Sequence, residues 1–189
     1  MLGHRKVTQA HMTTYKEYLA LLESPVYSPD ESRSHLDQTV SGVKNRIQSL
    51  HNTAKDLGNG YYHADVGDGE HLFYKHDGNR VTAFSNIVDG VQELLYKDID
   101  VPKSVPVDLV NHALKTIGPV TSDATHTKGS KSFWFNVHDN FPGHRIEAMN
   151  LNNEKSFDIT KKQLQFNQDK LWGDDSYAAN LRFRIHPKE

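Results

Sequence analysis

The fold is decided by the stretch Val91–Val137, which reads VQELLYKDIDVPKSVPVDLVNHALKTIGPVTSDATHTKGSKSFWFNV. It predicts a strand, a loop bracketed by Pro102 and Pro106, a helix ended by Gly118, a short strand, and a second helix that Thr127 can cap. A strand that leads into a helix N-terminus is a common place for anion binding in α/β proteins. The succession therefore indicates an α/β arrangement with a candidate ligand site inside this stretch.

The composition is that of a globular domain and excludes several functions. The chain has 189 residues, of which 36% are hydrophobic, 10% aromatic and 24% charged, and this length suits one domain with its own core. A net charge of −2 with dispersed basic residues predicts no nucleic-acid partner. No apolar run approaches the roughly 18 residues of a membrane span, so no membrane partner is expected. The absence of cysteine excludes disulfides, thiolate metal sites and a cysteine nucleophile.

Upstream of the central stretch, the sequence predicts a leader followed by one domain. Residues 1–33 are interpreted as an N-terminal leader with a short helix over Thr14–Glu23 and a polar linker over 24–33. Residues 34–189 are interpreted as a single domain that opens with a long amphipathic helix, Ser34–Leu57, stopped by Gly58.

The rest of the domain reads mainly as strands. Alternating apolar residues predict strands on both sides of the central stretch, and Asp77-Gly78 supplies a tight turn between two of them. Residues 152–170 read as a polar stretch anchored by Phe157, Ile159, Leu164 and Phe166. The expected fold is α/β (α+β), with a mixed, mostly antiparallel central sheet flanked by helices. The predicted strands are Tyr61–Val66, His71–Lys75, Arg80–Val88, Val91–Asp98, Pro119–Ser122, His144–Leu151 and Tyr177–Ile185.

A polar stretch, His63–His71 (HADVGDGEH), gathers two histidines and three acidic residues. Oxygen and imidazole groups at this density could hold a divalent cation. The spacing matches no calcium loop, however, and glycine with aspartate is the ordinary composition of a turn. A turn is the preferred interpretation, and no metal is predicted.

The central stretch resembles a known family. The order of helices and strands, together with a strand, a helix and then a short strand carrying an aliphatic-x-Ser-Asp motif, is similar to a group of phage-encoded proteins with the GNAT (N-acetyltransferase) fold. The resemblance covers about a quarter of the chain. Its motif residues are Val120, Ser122, Asp123, Thr127, Gly129 and Trp134.

The resemblance implies acetyl-CoA as the cofactor and places its diphosphate at the loop Val101–Val107, VPKSVPV. In GNAT enzymes this loop is rich in glycine, so that its N–H groups can approach the phosphates. Here it contains no glycine, and two prolines remove two donors. Lys103, Ser104 and Val105 are the candidate cofactor-binding residues. The departure leaves two alternatives open, a divergent acyltransferase or a fold that no longer binds the cofactor.

Catalysis in an active GNAT-like site would need a base for the attacking amine and an acid for the leaving thiolate. The candidates are Asp123, His126, Glu93 and Tyr96, which lie in or beside the relevant elements. Each has a structural alternative: Asp123 as a cap, His126 as a neighbour of the Thr127 cap, Glu93 as a solvated strand position and Tyr96 as a core residue.

A second resemblance concerns the N-terminus. The segment MTTYKEYLALLE, Met12–Glu23, resembles the capsid-targeting leaders of internal head proteins in T4-like bacteriophages, which are cut after an aliphatic-x-Glu triplet such as Leu21-Leu22-Glu23. An ordinary docking helix is the alternative. Together the resemblances imply a phage protein of the host cytoplasm or virion, and they leave open a non-enzymatic protein that binds a viral or host protein.

Overall fold

The computed structural model describes residues 29–123, 128–150, 155–166 and 181–188. The chain divides into two compact units, Met1–Val43 and Lys44–Glu189. The contacts discussed below lie within the second unit. The predicted leader helix Thr14–Glu23 and its cleavage triplet lie outside the described residues.

Helices and strands alternate in the order that the central stretch predicts. Among the described residues, five strands lie between the 3-10 turn that follows the first helix and the helix α2, and four strands and three short helices follow α2. The elements are α1 (Pro29–Leu50), the 3-10 turn (His51–Thr53), β1 (Lys55–Gly58), β2 (Tyr61–Gly67), β3 (Glu70–His76), β4 (Val81–Val88), β5 (Val91–Lys97), α2 (Ser104–Thr116), β6 (Val120–Ser122), α3 (Lys128–Phe135), α4 (Val137–Asn140), β7 (Ile146–Asn150), β8 (Lys155–Asp158), α5 (Lys161–Phe166) and β9 (Leu181–Ile185).

The described strands form one sheet in the order β1-β2-β3-β4-β5-β6-β9-β7-β8. Within it, β5 and β6 run parallel to each other, and each of the other neighbouring pairs is antiparallel. The helix α2 connects the two parallel strands, as a parallel pair requires. The predicted mixed, mostly antiparallel sheet with flanking helices is confirmed.

One core joins α2 and the later helices to one face of the sheet. Leu109, Val110 and Ala113 of α2 are buried there together with Phe73 and Ile87 of the sheet. Trp134 lies in this core, since it is 1% exposed and its ring stacks on that of Phe183 at 6.4 Å between centroids. Among the described helices, none combines the length and the apolar character needed to cross a membrane.

The long N-terminal helix was predicted with wrong ends. The described helix includes residues 29–33, which the prediction assigned to the linker. It ends at Leu50, seven residues before the predicted Leu57. Residues 55–58 form β1 instead, since their backbone pairs with β2 around the turn at Asn59. Pairing along the sheet outweighs the helical spacing of Leu57.

The predicted strands are confirmed where they fall on described residues, with differences of one or two residues at several ends. Residues 177–180 of the last predicted strand lie outside the described residues. The tight turn at Asp77-Gly78 is confirmed as well, with Gly78 at φ +98°. The helix α2 starts at Ser104, before Pro106, so Pro106 occupies its first turn.

Residues 152–170 contain two elements that the sequence did not indicate, β8 and α5. Ile159 and Leu164 are buried anchors as predicted, but Phe157 is 49% exposed and Phe166 is 88% exposed. Their role as anchors was a wrong prediction. The strand β8 lies at the sheet edge, where one neighbour is enough to form a strand whose side chains all stay exposed.

Candidate functional site

The two parallel strands pair at only two positions. β5 and β6 pair only at Val91 with Thr121 and at Gln92 with Ser122. β6 then ends, whereas β5 continues to Lys97. Among the described residues, the second half of β5 therefore has no strand neighbour on the β6 side. We call this side of β5, beyond the end of β6, the gap. The carboxyl ends of parallel strands are the usual position of a ligand site in an α/β sheet.

A β-bulge in β5 lies next to the last parallel pair. In the pairing of β4 with β5, Asn86 lies opposite Leu94 and Ile87 lies opposite Gln92, which leaves Glu93 as an extra residue. A bulge redirects a side chain and interrupts strand pairing, and bulges are frequent beside active sites. The last parallel pair and the bulge thus fall on adjacent residues, and Glu93 stands at the point where the gap begins.

The structure brings two of the predicted catalytic residues together. Partial desolvation raises the pKa of Glu93 above its usual value, and the nearby charges of Asp123, Glu70 and Asp89 raise it further. Asp123 directly follows β6 and is half-buried. A carboxyl group whose pKa is raised in this way can take up and release a proton closer to neutral pH than an ordinary glutamate.

The other two candidates are placed differently. The Tyr96 hydroxyl donates a hydrogen bond to Asp98 Oδ1 at 2.7 Å, its ring stacks on Phe84, and Lys44 Nζ lies 4.6 Å from the ring centroid. These contacts tie Tyr96 to the end of β5 on the sheet face where Lys44 lies. His126 lies outside the described residues.

The predicted cofactor-binding residues begin α2. Lys103 and Ser104 are exposed, whereas the Val105 side chain is buried in the core. The Val105 N–H donates to Pro102 O at 3.2 Å, and Pro106 has no N–H. The first turn therefore offers a diphosphate fewer backbone donors than an ordinary helix N-terminus does.

Two buried polar residues, Ser85 and Gln92, were missed by sequence reasoning, whereas a third, Ser122, was named there as a motif residue. Ser85, Gln92 and Ser122 are at most 4% exposed and occur in neighbouring strands. Gln92 Nε2 donates a hydrogen bond to Ser85 Oγ at 3.1 Å, and the Phe183 N–H donates to Ser122 Oγ at 2.9 Å. The available signal was a polar side chain at an inward-facing position of each strand.

The stretch His63–His71 forms the end of the hairpin of β2 and β3. His63 Nε2 and His71 Nδ1 lie 3.2 Å apart and share a hydrogen bond, and Asp65 lies 3.9 Å from His71. Asp68 has a positive φ in the connecting turn. In the part of the chain that the structure describes, no group of three or more histidine or acidic side chains is arranged to hold a metal ion.

Comparison with known proteins adds no relative. No protein-family model, no curated protein and no solved structure matches this chain.

Proposed function

We propose that this chain is a divergent GNAT-like protein whose ligand site is the gap between β5 and β6, with Glu93 as its acid–base group. The observation that carries the proposal is the coincidence of the bulge at Glu93 with the last parallel pair, Gln92 and Ser122. The order of antiparallel strands, parallel strand–helix–strand unit and further antiparallel strands also supports it, because it is the order that the resemblance implies.

Glu93 would act on a proton of a ligand held in the gap. Its carboxyl group is exposed, so a ligand can reach it. The negative charge of Asp123 favours the protonated form of Glu93, and a carboxylate with this property is a stronger base than an ordinary one. Partial burial together with Asp123 would thus let Glu93 exchange a proton closer to neutral pH than an ordinary glutamate does, whether the proton comes from an amine or from another polar group.

The residues at the start of α2 do not fit the diphosphate of acetyl-CoA in the manner of GNAT enzymes. Val105 uses its N–H within the loop, and Pro106 has none. Lys103 and Ser104 remain as contacts that could reach a phosphate from the surface. Divergence at this helix is therefore part of the proposal, and tight acetyl-CoA binding is not expected.

The test is a titration with acetyl-CoA followed by two-dimensional amide NMR on the wild-type protein. We expect shifts of the amides of residues 92–97 and 121–123 that saturate only at millimolar ligand, because few donors hold the diphosphate. Saturation at micromolar ligand would overturn the divergence at α2. Shifts confined to other strands, or no shifts at millimolar ligand, would overturn the site itself.

Glu93→Gln tests in the same titration whether binding at the gap depends on the charge of Glu93. The amide keeps the shape of the side chain and removes its charge and its acid–base capacity. We expect the variant to show the same set of shifted amides as the wild-type protein. Asp37→Asn, an exposed carboxyl change in α1, is the matched control.

A second candidate is a non-enzymatic phage protein that binds a viral or host protein, in the virion or in the host cytoplasm. The observation that favours it is the same scarcity of donors at α2. Mass spectrometry of purified phage particles tests it, with a non-structural phage enzyme as the reference for carry-over. Enrichment over that reference together with no acetyl-CoA shift would favour this candidate, whereas absence from particles would count against a virion role.

A further inference from the structure

The bulge at Glu93 interrupts the pairing of an interior strand. β5 is an interior strand with β4 on one side and β6 on the other. An extra residue in an interior strand disrupts the hydrogen-bond ladder with the neighbouring strand. The strand would gain regular pairing if it straightened, so some contact must favour the bulged form.

The hydrogen bond between Gln92 and Ser85 spans the bulge. Gln92 is paired with Ile87, whereas Ser85 is paired with Leu95, on the far side of the extra residue. Gln92 Nε2 reaches across this interval to Ser85 Oγ at 3.1 Å. The bond thus joins Gln92, which precedes the bulge in β5, to a residue of β4 whose own partner, Leu95, follows the bulge.

Burial makes this bond selective for one register. Gln92 is 4% exposed and Ser85 is fully buried, so water cannot replace either partner. If β5 straightened by moving one residue along β4, the side chain of Gln92 would turn to the other face of the sheet. The amide and the hydroxyl would then lose each other, and a buried polar group without a partner is costly.

We propose that Gln92 is a positioning residue, whose hydrogen bond to Ser85 holds the bulge that places Glu93 at the gap between β5 and β6. The inference that this placement serves a ligand site rests on the proposed function. Gln92 also pairs with Ser122 through the backbone, so one residue fixes both the bulge and the last parallel pair. Glu93 itself then remains free to face the solvent and a ligand.

The experiment measures the titration of Glu93 without any ligand, by carboxyl carbon NMR on protein labelled at glutamate. In Ser85→Ala and Gln92→Leu, we expect the titration midpoint of Glu93 to fall toward that of an exposed glutamate, because the carboxyl leaves its partly desolvated position beside Asp123. We also expect cross-strand NOEs to show Glu93 opposite Ile87 or Asn86 in regular pairing. Ser85→Thr keeps the hydroxyl and should retain the wild-type midpoint.

Thr82→Ala is the matched control. Thr82 lies in the same strand, is 7% exposed, and its hydroxyl donates to Lys75 O instead. Loss of that hydroxyl should lower the unfolding midpoint without moving the titration of Glu93. If Gln92→Leu does not fold, Ser85→Ala alone decides.

An unchanged Glu93 midpoint together with an unchanged β4–β5 register in Ser85→Ala would overturn the proposal. Because no ligand is present, this result is independent of the acetyl-CoA titration. A failure of the ligand site would leave the positioning role of Gln92 intact, and the reverse also holds.

Discussion

The imidazole rings of His51 and His76 stack on each other, with their centroids 4.3 Å apart and their planes 20° from parallel. His76 lies at the end of β3 and is 8% exposed, and His51 opens the 3-10 turn after α1. The Gly78 N–H donates to His76 Nδ1 at 3.1 Å, so this nitrogen carries no proton in the folded protein. Burial lowers the pKa of His76, and His51 lowers it further, while Asp77 acts in the opposite direction.

This pair predicts a loss of stability in mild acid. The ordinary pKa of histidine is 6.5, and that of His76 is lower in the folded protein. The unfolded chain therefore binds the proton first as the pH falls, and the stabilisation present above pH 6.5 is lost below it. His76→Gln should reduce the slope of unfolding free energy against pH between 7.5 and 5.5 by up to about 1.4 kcal/mol per pH unit. Urea unfolding at several pH values measures the slope.

Val81→Ala is the control for that measurement. Val81 pairs with His76 across the hairpin and is 4% exposed, but it does not titrate. Its truncation should lower the unfolding free energy equally at each pH. Identical slopes for His76→Gln and the wild-type protein would contradict the role assigned to the stacked pair.

Asp98 closes the end of β5, and its replacement should be costly. Lys44 Nζ lies 2.8 Å from Asp98 Oδ1, and the Tyr96 hydroxyl donates to the same oxygen. Burial opposes ionisation, but the hydrogen bonds from Lys44 and Tyr96 and the charges of Lys44 and Arg80 outweigh it, and the pKa of Asp98 is lowered. We expect Asp98→Asn to lose about 2 kcal/mol of unfolding free energy at pH 7 in urea titrations.

Two further measurements serve as controls for the Asp98 prediction, the pH dependence of the loss and a substitution at the neighbouring Asp100. Since the folded pKa of Asp98 is below its ordinary 3.8, its contribution is present above that pH and is lost as the pH falls further. The difference between Asp98→Asn and the wild-type protein should therefore narrow toward pH 3. Asp100→Asn removes an exposed partner of Arg80 and should change stability by less than about 0.5 kcal/mol. Equal losses at the two positions would contradict the buried network.

Gly69, in the turn between β2 and β3, is a position where an alanine should lower the stability of the fold. Its φ is +77°, and a Cβ at this position would collide with Asp89 Oδ1. Gly69→Ala should lower the unfolding free energy by about 1–3 kcal/mol, measured by thermal or urea unfolding. Gly67→Ala shares the positive φ, at +91°, but has open space around the Cβ, so it isolates the backbone strain.

The double variant Gly69→Ala/Asp89→Gly removes the collision. If Gly69→Ala loses more unfolding free energy than Gly67→Ala does, the double variant should recover that difference. No recovery would show that the Asp89 carboxylate can move aside with little loss of free energy. The backbone strain at positive φ would then account for the whole loss of stability in Gly69→Ala.

Ser122 joins β6 to β9 by accepting the Phe183 N–H, and it is fully buried. Ser122→Ala removes this hydrogen bond between β6 and β9, so we expect a loss of about 1–3 kcal/mol and faster hydrogen exchange at the Phe183 amide. Ser49→Ala removes an exposed hydroxyl that donates to Arg46 O and should cost less than about 0.5 kcal/mol. Unchanged exchange at Phe183 in Ser122→Ala would contradict the prediction.

Local signals in the sequence were sufficient for most of the sheet. Asp77-Gly78 and Asp89-Gly90 mark turns because Gly78, Asp89 and Gly90 adopt positive φ there. Likewise, the spacing of Val110, Ala113 and Leu114 predicts an apolar face on α2, and all three residues are buried in the core. These features depend on residues close together in the chain, which is why they can be read from it.

The candidate site was only partly accessible to the same reasoning. The order of elements indicated that Glu93 and Asp123 lie beside the loop and the short strand of the central stretch. Their charges interact because β5 and β6 are neighbours in the sheet, although the whole of α2 separates the two strands in the chain. The bulge at Glu93 depends on the register with β4, and no local pattern fixes a register to one residue.

What the sequence by itself determined is the succession of strands, turns and helices between Tyr61 and Asn150, and from it a mixed, mostly antiparallel sheet. Only the tertiary structure decided that residues 55–58 form a strand, that β9 lies between β6 and β7, and that the parallel pair ends at a bulge. The physical reason is the range of the interactions. Propensity and turn geometry act over a few residues, whereas strand pairing and burial join segments far apart in the chain and override local preference where the two disagree.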